Sequence, residues 1–166
     1  MSELAINAGT SQPLIDNIQM QGFQFHTRMD LSLPDVPSDL TELDDEGLMN
    51  LFGELTSYAN FLSAQFACAV IDEKNAEHAL DFEESKNYIS SYEANKKETV
   101  TIMKARMAMD PEIKHLREAC AAKYAYRKLL EVMVGNIERS TVLVSRELTR
   151  RTAGGNAFTR GQRMFP

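Results

Sequence analysis

Apolar residues return at steps of three and four along two long stretches of this chain, and at steps of two along one short stretch. The first long stretch carries Leu48, Leu51, Phe52, Leu55, Ala59, Leu62, Phe66, Ala69 and Val70. That period places them on one helix face. Asp44 suits the N-cap, and Asp45 and Glu46 suit the positive end of the helix dipole. Beyond Ile71 the stripe thins to Ala76, Ala79, Leu80 and Phe82. The pattern predicts a helix from near Asp44 to between Ser90 and Asn95.

The second long stretch steps through Ile113, Leu116, Cys120, Lys123, Arg127, Leu130, Val134, Ile137, Thr141, Val144 and Leu148. This is a heptad-like seam with a polar break at Lys123 and Arg127. Asp110-Pro111-Glu112 starts it, with Asp at the N-cap, Pro at the first helical position and an acid in the first turn. The predicted helix runs to about Arg151, and Gly154-Gly155 is expected to stop it. Between the two lies a shorter helix opened by Glu98 or Thr99, with Val100, Ile102, Met103, Met107 and Met109 as its apolar surface. Leu130, Val134, Ile137, Val144 and Leu148 are the expected core or oligomer seam.

The short alternating stretch is Phe23, Phe25, Met29, Leu31 and Leu33, a strand-like spacing. It lies within residues 1–43, which read as an extended arm punctuated by Pro13, Pro34 and Pro37. The expected organisation is an arm (1–43), a helical domain (44–151) and a flexible basic tail (152–166). The fold class is all-α, with long helices in an antiparallel, coiled-coil-like hairpin.

Charge adds a second pattern. Residues 1–100 hold five Lys/Arg against eighteen Asp/Glu, a net of −13, and residues 101–166 hold thirteen against six, a net of +7. The whole-chain net of −6 hides this split. Such asymmetry points to polyanion binding or self-association. Arg139, Arg146, Arg150, Arg151, Arg160 and Arg163 form an arginine-only C-terminal set suited to phosphate contact and base stacking. Phe158 and Phe165 interleave with the last two. Lys123, Arg127 and Lys128 form a second basic cluster beside Tyr124 and Tyr126. Tyrosines two residues apart do not share a helix face, so at most one belongs to the core.

Catalytic patterns are not found. Gly154-Gly155 lacks the lysine and the strand–helix setting of a phosphate loop. His26, His78 and His115 are scattered. Glu73, Glu77 and His78 share a helix, but without the Glu-x-x-His spacing of carboxylate-bridged metal sites; a solvated acidic face is the simpler expectation. Cys68 and Cys120 read as small buried hydrophobes. No catalytic residue, metal or cofactor is expected. Neither a secretory leader nor an apolar run of about 18–20 residues is evident, so a cytoplasmic location is expected, that of a bacterial host if the chain is phage-encoded.

In layout the chain resembles the UvsY family of recombination mediators from T4-type bacteriophages. The resemblance spans roughly residues 44–150. It rests on an aromatic turn, Tyr58-Ala-Asn-Phe61-Leu62, then Lys104, an Asp-led restart at Asp110, Tyr124, Leu129-Leu130, Arg139 and Arg150. It implies a helical homo-oligomer, without catalysis, that binds single-stranded DNA and helps a RecA-type recombinase displace single-strand-binding protein. One departure is Phe82-Glu-Glu-Ser-Lys-Asn-Tyr88, where Lys86 stands among acids in place of the family's basic segment. The last helix and tail are therefore the expected DNA contacts. The alternative expectation is a structural or assembly protein that binds no nucleic acid.

Overall fold

The computed structural model describes residues 4–5, 7–24, 28–29, 32–94 and 99–162, the backbone alone for 4–5, 28–29 and 154–162. Two strands, β1 (Leu4–Ala5) and β2 (Arg28–Met29), pair antiparallel, Leu4 opposite Met29. The helices are α1 (Gln12–Met20), α2 (Asp45–Ala94), α3 (Val100–Met109) and α4 (Pro111–Gln162). The fold is all-α, and its long helices pack antiparallel. Along α2, Glu73 and Glu84 meet residues of falling number on α4, Arg127 and Arg117.

Both long helices start where local chemistry predicts. The Asp44 carboxylate accepts from the Gly47 N–H at 2.7 Å, and the Asp110 carboxylate accepts from the Glu112 N–H at 2.9 Å. Each side chain satisfies a backbone donor that has no partner within its helix.

The chain divides into two compact units. The first comprises Met1–Ile6, His26–Ala64 and Val132–Pro166; the second comprises Asn7–Phe25 and Gln65–Glu131. In the first unit α2 buries Leu48, Leu51, Leu55, Tyr58 and Leu62, and α4 buries Ile137 and Val144. Val134 and Leu148 are half-buried. Leu48, Leu55 and Val144 lose all contact with solvent, each contributing about 1.5–3 kcal/mol by transfer from water. In the second unit α2 buries Gln65, Cys68, Ala69, Asp72 and Glu73, α3 buries Met103, and α4 buries Ile113 and Leu130. Cys120 is half-buried, and both cysteines are free.

Two sequence expectations change. The arm is not extended throughout, because α1 occupies Gln12–Met20. Pro13 sits in its first turn, where a missing N–H costs nothing, and Ile15 is its buried anchor. Among the described residues of the alternating stretch, Arg28–Met29 forms a strand; residues 25–27 and 30–31 lie outside the described residues. The tail expectation also changes, for α4 continues as helical backbone through Gly154-Gly155 to Gln162. A helical glycine costs about 1 kcal/mol against alanine, which weakens a helix without ending it.

Candidate functional site

The seam of α2 steps by three and four through Leu48, Leu51, Leu55, Tyr58, Leu62, Gln65, Ala69 and Asp72, every one buried. Its last members turn polar. The seam of α4 turns polar at Lys123 and Arg127, and in the second unit the two polar breaks meet. Lys123 Nζ donates to Asp72 Oδ2 at 2.8 Å. Arg127 pairs with Glu73 through Nε and reaches Glu131 with Nη1 at 3.2 Å. Its guanidinium also lies 5.3 Å from the centre of the Tyr124 ring. Neither tyrosine joins the core: Tyr124 and Tyr126 are both exposed.

The N-terminal segment closes this polar cluster. Asn7 and Gln65 bond reciprocally, backbone N–H to Oε1 at 2.7 Å and Nε2 to backbone oxygen at 3.0 Å. Thr10 donates to Asp72 Oδ1 from its N–H at 3.0 Å and its hydroxyl at 2.6 Å. Asn75 Nδ2 donates to the Thr10 hydroxyl at 2.8 Å. Gly9, at φ +50°, passes so close that a Cβ there would collide with the Asp72 carboxylate. Glycine alone suits that turn and that approach.

Burial pushes the Asp72 carboxyl up, but the bonds from Lys123 and Thr10 outweigh it and hold the pKa below the usual range. Burial, reinforced by Asp72, raises the Cys68 thiol, which makes it a poor nucleophile. Glu73, read from sequence as part of a solvated acidic face, is buried and paired with Arg127. Among the described residues no group of three His, Cys, Asp or Glu side chains could hold a metal ion.

The first unit has its own ion-pair cluster. Glu147 accepts from Arg150 at 2.6 Å and from Arg151 at 2.9 Å. Those two hydrogen bonds, Arg150's first, hold its pKa down at about 2. Arg151 also reaches Asp45 at 2.9 Å and the backbone oxygen of Leu40 at 3.1 Å. It thus ties the segment just before α2 and the start of α2 to α4.

The structure sorts the candidate nucleic-acid residues into three groups. Lys123, Arg127 and Arg151 pair with carboxylates of α2. Lys128 and Arg150 pair within α4, with Glu131 and Glu147, and Arg139 donates to Asn136 at 3.0 Å. Arg146 has no ion-pair partner among the described residues, and the side chains of Arg160 and Arg163 lie outside them. Arg139 and Arg146 line a surface groove with Gly135, Glu138, Val142 and Leu143. Val142 and Leu143 are 47% and 54% exposed, and Val132 and Met133, about three turns before, are exposed as well.

Sequence reasoning missed the buried polar cluster of Gln65, Asp72 and Glu73. The available signal was register: Gln65 and Asp72 continue the seam begun at Leu48, as Lys123 and Arg127 continue the one begun at Ile113.

Compared with known proteins, the chain matches no family model, no curated protein and no solved structure. No helix among the described residues is long and apolar enough to cross a membrane.

Proposed function

We propose that this chain is a non-enzymatic helical assembly protein that acts by self-association. The observation that carries this is the α4 face of the first unit. The inward seam of α4 is already filled by Ile137 and Val144, yet Val132, Val142 and Leu143 remain exposed away from that seam on the same helix. Large apolar side chains collected on one element favour a partner surface over water. The reading also accounts for the chemistry-bearing groups. Asp72 pairs with Lys123 and Glu73 with Arg127, so their charges hold the helices together. The test is molar mass in solution across concentration. Oligomers are expected, and a monomer at about 100 μM, meaning association weaker than about 5.5 kcal/mol, would overturn the reading.

A second reading is a single-stranded-DNA-binding oligomer, a recombination mediator of the kind the family resemblance implies, working with a RecA-type recombinase and single-strand-binding protein. Arg139, Arg146 and Arg150 favour it, since none pairs with a carboxylate of another helix. Titrating single-stranded DNA binding against salt separates the two. Replacing these three with Ala should make the slope of log affinity against log salt shallower by about 2. No binding at low salt would leave the assembly reading alone.

A further inference from the structure

On the exposed face of α4 in the first unit, beside Arg139, one pair of opposite charges stands symmetrically about Val142. Glu138 stands four residues before it and Arg146 four residues after, on one side of the helix. Neither has an ion-pair partner among the described residues, both are exposed, and both line the same groove. Seven residues to either side of Val142 stand Gly135 and Thr149. Nothing lies within 4 Å of the place a Gly135 Cβ would occupy. The Thr149 hydroxyl donates to its own helix at Ser145 O, 2.9 Å away, so it needs no outside partner.

We infer that this face binds the same face of a second copy, antiparallel, with the two Val142 side chains on the twofold axis. The inference rests on the self-association reading above and specifies its surface. In such a pairing each residue meets the one equally far beyond Val142. Glu138 meets Arg146 of the second copy, Arg146 meets its Glu138, and Gly135 meets its Thr149. A twofold interface requires a patch complementary to itself, and opposite charges placed symmetrically about an apolar centre meet that requirement. Gly135 removes the bulk that would hold the helices apart. A parallel pairing would set Glu138 against Glu138 and Arg146 against Arg146, and like charges across an interface are strongly disfavoured. The charges therefore fix direction and register, while Val142 and Leu143 supply the apolar contact.

Charge reversal tests this on the full chain, with mass measured by sedimentation equilibrium and helix content by circular dichroism. E138R creates two Arg–Arg contacts per dimer, and R146E creates two Glu–Glu contacts. Each alone should weaken the dimer by on the order of 100-fold, since facing like charges cost several kcal/mol. The double variant E138R/R146E restores both pairs and should return to within about tenfold of the unaltered protein. An equimolar mixture of the two single variants should form a heterodimer. Helix content should stay unchanged, because both positions are exposed. If the single variants associate as well as the unaltered chain, this surface is wrong and the self-association reading survives. If both lose association and neither the double variant nor the mixture regains it, the antiparallel pairing is overturned. A monomeric unaltered protein removes both proposals.

Discussion

The first unit fills its helix seams with apolar side chains; the second sets charge and amide among apolar side chains in the same seams. On α2 the buried positions run Leu48, Leu51, Leu55, Tyr58 and Leu62 in the first unit, then Gln65, Ala69 and Asp72 in the second. The difference shows that one seven-residue repeat can serve two purposes. Apolar positions give non-directional stability proportional to buried area. A buried carboxylate carries a desolvation cost and repays it only with its proper partners in place. Asp72 has Lys123 and Thr10, and Glu73 has Arg127. The second unit thus ties correct packing to helix register and to the docking of Asn7–Thr10, which the first unit does not.

The sharpest break is in the apolar unit. Val144→Asp puts an unpaired carboxylate where the side chain has no exposure, and should destabilise by several kcal/mol. Urea denaturation followed by circular dichroism should show an early transition. Val144→Ala should cost less, about 2 kcal/mol or more for the lost packing.

In the polar unit, Asp72→Ala should cost about 1–3 kcal/mol, because it strands the Lys123 ammonium and both Thr10 donors. Here the comparison makes a distinct forecast. Replacing Glu73 and Arg127 together with Leu should be close to neutral or stabilising, whereas Arg127→Leu alone should lower the denaturation midpoint by leaving a buried carboxylate unpaired. If the single and double variants were equally destabilised, the pair would not be acting as a coupled unit.

Gly9→Ala should release the N-terminal segment without unfolding the helices. The strained φ and the collision with Asp72 together should cost about 1 kcal/mol or more. Amide exchange at Asn7 and Thr10 should speed up, while α4 amides around Ile137 stay protected. Unchanged exchange at Asn7 and Thr10 would mean that the segment tolerates a Cβ at its closest approach to α2.

The smallest effect is in pH. Glu147 has its folded pKa lowered to about 2, so the stability it lends is complete above its unfolded value near 4.5 and fades as pH falls toward 2. Asp72 shifts in the same direction. Stability measured from pH 6 down to pH 2 should decline, and Glu147→Gln should remove part of that decline. A profile unchanged by Glu147→Gln would show that its arginine bonds do not survive in solution.

Much of this architecture was legible along the chain, and the reasons are local. The seam of α4 from Ile113 to Leu148, the caps at Asp44 and Asp110, and the α3 start after Thr99 depend on residues within a turn or two of each other. The helix α1 was available to the same reasoning. Leu14, Ile15 and Ile18 have helical spacing and Pro13 is a good first-turn residue, but proline read as a breaker hid it. The candidate site was less legible. A basic residue has the same sequence signature whether it faces solvent or a carboxylate on another helix. Lys123 and Arg151 are paired with α2, while Arg146 is not.

The sequence by itself determined that this chain forms long helices, where they begin, and which face of each turns inward. Helix periodicity and capping are interactions between near neighbours, so they are written locally. Only the tertiary structure decided which acids of the one half meet which bases of the other. The partners in Asp72–Lys123, Glu73–Arg127 and Asp45–Arg151 stand 51, 54 and 106 residues apart. Which acid meets which base depends on the register of one helix against another. That register follows from side-chain packing and from the desolvation cost of every charge misplaced, and neither can be read from a single stretch of chain.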